Sequence, residues 1–419
     1  AFMDPAARDV SQVRVLFGNG RYRKLFVART ISNLGNGIAP IAIAFGVLAL
    51  PEGSPTSLSI VLAAQAVPLI IVLPIGGVIA DRLGRARVIA VTDLILSGIV
   101  AITAYLFATG TATIPVLAVL MFFTGILNAL WWPAYSGLIP DVVEDEYLQP
   151  ANAYVSMASN GGLIVGAALG GVLVAAVGSG FAIAVDAVSF FVAGLLVWSF
   201  RHASKPHVSG ESMLGDLAHG WRVFLSFRWV VVVVASFSII VMALYGAEQV
   251  MGPVFAVDQY GGEKDGARAW SLVLAVQAAG LLVGAVVASR VRIHRPMLFG
   301  MLLTLALPVW LVTLAFAAPL WVIALGSFAW GVAIELFQVL WFTALQVNVP
   351  REALSRVGSY DAMGSLMFGP IGLALAGPLI AVAGLKTGFL IAAAVALVAI
   401  LAALLSKSVR SLQSTPAEG

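Results

Sequence analysis

The sequence predicts an all-α membrane protein, with twelve transmembrane helices arranged as two pseudo-symmetric six-helix bundles. Three observations predict it: apolar runs long enough to cross a bilayer, a one-sided distribution of Lys and Arg, and an internal repeat at an offset of 206 residues. Of the 419 residues, 61% are hydrophobic and 10% charged, with a mean hydropathy of +1.01. That balance points away from the two or three soluble domains that length alone suggests.

A helix crossing a hydrocarbon layer of ~30 Å needs about 20 mostly apolar residues, and its backbone must satisfy its own hydrogen bonds. The runs here are too long and continuous for barrel strands. A polar cytoplasmic segment, 1–24, comes first, with Arg8, Arg14, Arg21, Arg23 and Lys24 and no short apolar core, so no cleavable signal peptide is expected. The N-terminal bundle, 25–200, then carries spans at 25–50, 57–80, 88–109, 114–138, 151–178 and 181–200. A cytoplasmic connector, 201–228, follows. Within it Leu214, Leu217, Trp221 and Leu225 recur at helical spacing beside Asp216, His219 and Arg222, which predicts an amphipathic helix on the membrane surface. The C-terminal bundle, 229–406, has spans at 229–255, 269–289, 296–317, 320–345, 356–383 and 386–406, and 407–419 form a cytoplasmic tail.

Cytoplasmic loops retain Lys and Arg. With the N-terminus inside, 20 of the 23 basic residues fall on the inner side and only Lys264, Arg268 and Lys386 outside, so both termini are expected in the cytoplasm. The net charge of +3 reflects this topology, not a nucleic-acid face. The repeat aligns Gly125 with Gly331, Leu148 with Leu354, Tyr154 with Tyr360, Gly171 with Gly377 and Gly178 with Gly384. Two parallel halves of this kind can rock about a shared centre and open it to one side at a time.

Between the second and third spans stands GGVIADRLGRARVI, Gly76 to Ile89. A loop that only sets topology accounts for its arginines, but not for Gly77, Asp81 and Gly84 at their spacing. Gly84 permits a tight turn, Asp81 can cap a helix or pair with an arginine, and Arg82, Arg85 and Arg87 meet the anionic lipid surface. Gly77, Asp81, Arg82, Gly84 and Arg85 match G-x-x-x-D-R-x-G-R-[RK]-x, and in this the chain resembles the major facilitator superfamily. Arg87 falls one place beyond the second basic position, which holds Ala86. The resemblance implies a conformational latch between the halves, with Asp81 and Arg85 as its ions. The second-half counterpart near Ser289, Arg290 and Arg292 lacks the acid, so the latch is one-sided.

In the fifth span, Gly162, Gly166, Gly170 and Gly171 are similar to the antiporter-type signature G-x-x-x-G-P-x-x-G-G, with Ala167 in place of proline. Small residues at this spacing also pack helices closely whatever the function. The stretches RTISNLGNGI, VTDLILSG, LIPDVVEDEYLQPANAY, AVDAVSFF and DLAHGWRVFLSF resemble the branch of macrolide, multidrug and enterobactin exporters. Asn36 departs from it, standing where many relatives carry an acid.

Charges inside spans are costly and mark a pathway or a paired structural site. Glu335, with Gly331 and Gln338 on its helical face, is the first choice for a titratable group; Arg29 and Asp93, at matching depths, are expected to pair. Glu248 precedes Pro253 and suits an outer gate or cationic substrates, Asp361 a cap or a pair with Arg356, and Asp186 a structural role. Burial favours a neutral carboxyl and a nearby cation the ionised one, so such a group can exchange protons as a cavity alternates. Substrate-cavity candidates are Asn33, Asn36, Gln65, Asn128, Trp131, Trp132, Tyr154, Tyr245, Gln277, Phe337 and Gln338; Trp310 and Trp321 read as an outer interfacial belt.

No phosphate-binding loop G-x-x-x-x-G-K-[ST] is present, and the four histidines form no metal set, so no cofactor, metal or ATP-driven step is expected. The chain is expected to be no enzyme but a monomeric secondary transporter of the bacterial inner membrane, moving drugs or amphipathic small molecules outward against protons. The alternatives are a metabolite or lysolipid importer or exchanger on the same fold, and a receptor or scaffold that does not transport.

Overall fold

The computed structural model describes residues 13–136, 138–144, 147–203, 221–288, 290 and 293–413. The surroundings of Gly77 and the side chains of Asp81 and Arg356 lie outside what is described, as do Leu214 and Leu217 of the connector, Ser289 and Arg292. Among the described residues every regular element is helical. Eleven stretches are long and apolar enough to span a membrane, and the longest, Pro150–Trp198, holds two spans. Gly178 divides it with φ 84° and ψ 164°, giving the twelve spans expected.

The second-half equivalent of that junction is Gly384, at φ 79° and ψ 163°, where the eleventh span passes into the twelfth. A side chain is disfavoured in this region of φ/ψ, and glycine enters it freely. The sequence repeat is therefore also a repeat of backbone geometry. A methyl group on Gly125 would overlap Gln65 O, and one on Gly331 would overlap Gln277 O, so in each half the same helix pair closes to backbone contact.

The chain divides into two compact units. One comprises Ala1–Glu52 with Ala64–Ser209, the other Gly53–Ala63 with Gly210–Gly419. In the first unit the first span, Gly20–Leu48, begins at Asn19, whose side chain accepts hydrogen bonds from the Arg21 and Tyr22 amides. Asn19 Nδ2 also donates to Val142 O at 2.8 Å, and Tyr22 Oη to Ala151 O at 2.9 Å. These bonds tie the start of the span to the short helix Leu138–Val142 and to the fifth span. The third span, Arg85–Thr109, packs between the fourth, Ile114–Ser136, and the sixth. Gly166 faces the first span so closely that a methyl there would overlap Leu34 O; Gly162 and Gly170 face it too, and Gly171 is buried.

Prolines set the breaks in the second unit, because each removes an amide donor and crowds the carbonyl four residues back. Pro308 divides the ninth span into Pro296–Leu303 and Ala306–Ala315, and Pro370 divides the eleventh into Arg351–Leu366 and Gly369–Ala383. The seventh runs as Arg228–Tyr245, a π-turn at Gly246–Met251, and Gly252–Tyr260. The eighth is Glu263–Ala288, the tenth Leu320–Asn348 and the twelfth Leu385–Leu405. Trp221, at the end of the connector, stacks on Phe224 and meets Tyr360 edge-on at 5.4 Å.

Trp310 corrects the expected aromatic belt. It is 0% exposed, stacked parallel to Trp270 and packed on Gly326, whereas Trp321 is 70% exposed. Gly326, whose missing side chain leaves room for the ring, and the parallel indole of Trp270 draw Trp310 into the core.

Candidate functional site

The polar centre of the first unit is built by four spans. Arg29 lies on the first, Asp93 on the third, Trp131 and Tyr135 on the fourth and Asp186 on the sixth. Arg29 is 9% exposed, and its guanidinium carbon stands 4.3 Å from the centroid of Trp131 and 4.4 Å from that of Tyr135. The two rings stack on each other at 4.9 Å, so the cation meets a double aromatic surface. Arg29 Nη2 donates to Asn33 Oδ1 at 3.1 Å, and Asn36 Nδ2 reaches the same oxygen at 3.5 Å.

Asp93, 2% exposed, has Arg29, Trp131 and Asp186 as its charged and polar neighbours. The expected Arg29–Asp93 ion pair is not closed. Among the described residues Asp93 Oδ1, Arg29 Nε and Asn33 Nδ2 are buried with no hydrogen-bond partner, and the Trp131 indole lies against Asp93. The rings of the fourth span, and Asn33 one turn further along the first, hold the guanidinium, which leaves an acceptor and two donors open among the described residues. Open buried polar groups cost free energy. Asp186 is instead held: Ser189 Oγ donates to its Oδ1 at 3.2 Å, and Gly35 of the first span lets it pack flush.

At the end of this unit where the first span begins, Gly84 precedes the third span with φ 89° and ψ 121°, as the motif's turn requires. Arg85 Nη1 lies 3.5 Å from Asp141 Oδ1 on the short helix, and Arg82 is exposed. Trp132 is 62% exposed and meets Trp131 edge-on. Tyr154 packs against Phe17, while Gln65 and Asn128 are half-buried.

In the second unit an aromatic stack of Phe237, Phe337 and Trp341 leads to Asp361. Trp341 Nε1 donates to Asp361 Oδ2 at 2.8 Å and Ser365 Oγ to Oδ1 at 3.1 Å. Both oxygens of Asp361 are thus engaged by the tenth and eleventh spans. Glu335 is half-buried against Gly284, has no hydrogen bond or ion pair among the described residues, and Gln338 beside it is exposed. Glu248 Oε2 accepts from Gln277 Nε2 at 3.0 Å, and Tyr245 lies one turn before it.

The profile of the Major Facilitator Superfamily matches residues 25–367. The chain belongs to the major facilitator superfamily. As a member of it, the protein is a multi-pass membrane transporter of small molecules and not an enzyme. It is similar to the multidrug efflux pump Tap of Mycolicibacterium fortuitum, 29% identical over 379 residues, covering 87% of this chain and 90% of that one. Among solved structures, a POT family transporter in complex with 5-aminolevulinic acid aligns with a TM-score of 0.71 at 13% identity, covering 91% of this chain and 94% of that one. The nucleoside transporter NupG aligns at 0.69 and 15% identity, covering 92% and 98%. These two likenesses concern the fold alone.

Within this facilitator, sequence reasoning overlooked Tyr135 and Asp141. Tyr135 was legible: it stands four residues after Trp131, hence on the same helical face. Asp141 was not, since only the short helix Leu138–Val142 turns it toward Arg85.

Proposed function

We propose that the protein is a secondary active transporter that expels drugs or other amphipathic small molecules in exchange for protons, by alternating access. It acts as a monomer in a bacterial cytoplasmic membrane, with both termini and the connector 201–228 in the cytoplasm. The observation that carries the coupling is the buried Asp93, set beside the donors of Arg29 and Trp131 and in no closed ion pair among the described residues. An ionised Asp93 draws those donors in; a protonated one releases them. Because the cluster joins the first, third, fourth and sixth spans, either state sets how these helices pack. Similarity to a multidrug efflux pump over 87% of the chain supports the direction. In the same proposal Gly77, Asp81, Arg82, Gly84 and Arg85 form the latch that the motif implies.

Everted membrane vesicles test it. With an acidic lumen, vesicles carrying the protein accumulate a fluorescent amphipathic drug, and collapse of the gradient releases it. Accumulation only with an alkaline lumen, or none that depends on the gradient, would reject the exchange.

A further inference from the structure

The seventh span contains the fold's least regular helical turn. Gly246–Met251 wind as a π-helix, and Gly252 N–H donates to Ala247 O, five residues back. Pro253 follows at once. Lacking an amide hydrogen and crowding the carbonyl of Gln249, it cannot sit in an unbroken α-helix, and the wider turn makes room. Such single-turn π segments gather at functional sites. This one places Glu248 in its middle.

Three residues meet there. Glu248 Oε2 is held by Gln277 Nε2 of the eighth span at 3.0 Å, and among the described residues Gln277 Oε1 is buried and has no partner. Tyr245 stands beside Glu248, its ring fixed over Gly369 of the eleventh span, where a methyl group would lie 2.9 Å from Cδ2. Glu248, Gln277 and Tyr245 are each half-buried. Among the described residues no Lys, Arg or His stands within ion-pair distance of Glu248.

We propose that Glu248, Gln277 and Tyr245 form a binding site for a monovalent cationic group. The carboxylate supplies the counter-charge, the free amide oxygen a second acceptor, and the ring a face that attracts cations. One carboxylate and neutral oxygens balance one positive charge. No group of three or more Asp, Glu or His that a divalent metal would need occurs among the described residues. The occupant is either the protonated or quaternary amine of a transported molecule or a sodium ion. The first deepens the export reading above and rests on it, by naming amphipathic cations as the substrate class.

The test uses the full chain in lipid nanodiscs, with ethidium as a permanent cation and N-phenyl-1-naphthylamine as a neutral apolar probe. Glu248→Gln is expected to weaken ethidium binding by about tenfold or more, as loss of a charge-assisted contact does, and to leave the neutral probe unaffected. Gln277→Leu is expected to weaken ethidium less and serves if Glu248→Gln does not fold. Equal ethidium affinity in folded Glu248→Gln and wild type overturns the proposal, as does equal loss of both probes. Sodium that competes with ethidium in wild type but not in Glu248→Gln names sodium as an occupant; sodium without effect assigns the site to organic amines. Cation binding that depends on Glu248 in a protein showing no gradient-driven transport would sink the export reading and leave the site standing.

Discussion

Gly161 and Gly166 lie on one helix, and the same substitution at each is predicted to have opposite effects. A methyl group on Gly161 meets nothing within 4 Å; on Gly166 it overlaps Leu34 O and comes within 3.0 Å of Gly37 Cα. Alanine in a helix interior is favoured over glycine by about 1 kcal/mol, so Gly161→Ala gains up to about that much. At Gly166 the same gain is opposed by overpacking, typically about 1–3 kcal/mol. The obstructing atom belongs to a helix backbone and cannot rotate aside, so the penalty falls in the upper part of that range. The net expectation is a loss of about 1–2 kcal/mol for Gly166→Ala, and a separation of about 2–3 kcal/mol between the variants. Denaturant titration of the purified chain in one detergent, followed by tryptophan fluorescence, measures both. Equal stabilisation by the two substitutions, or a loss at Gly161 as large as at Gly166, would refute the assigned contact between the first and fifth spans.

Gly178→Ala and Gly384→Ala should each cost about 1–3 kcal/mol from backbone strain alone, since neither site has an atom within 4 Å of an added methyl; similar losses in the same titration check the equivalence of the two junctions. Asp361→Ala leaves the Trp341 indole N–H without its acceptor and should cost about 1–3 kcal/mol. Adding Trp341→Phe to Asp361→Ala should then cost less than the two single losses combined, measured as a double-mutant cycle. Glu335→Gln is expected to leave gradient-driven accumulation in everted vesicles intact, because among the described residues Glu335 has no hydrogen bond or ion pair whose position its charge would control; loss of that accumulation would move the coupling to the tenth span.

Much of this was legible in the residues, and the rest was hidden for physical reasons. Gly178 and Gly384 align in the repeat because both halves turn with the same backbone geometry. The spans follow from apolar length, whereas the breaks at Pro308 and Pro370 fall inside runs that read as continuous. Pro253 told only that a helix is disturbed; that relief comes as a π-turn, and that the turn brings Glu248 to Gln277, depends on packing between spans. Arg29 and Asp93 read as an ion pair because depth can be counted along a chain. The rings of Trp131 and Tyr135 share one face of the fourth span, but that this face meets Arg29 depends on packing between helices. Trp310 was misplaced for the same reason: its burial is decided by Trp270 and Gly326.

Proton release on substrate binding tests the coupling most directly. When a drug is added to the purified chain in weakly buffered detergent solution, wild type should acidify the medium, and Asp93→Asn, still binding the drug, should not. Equal acidification by the two proteins would contradict the assignment of the proton to Asp93, and none from wild type would contradict exchange itself.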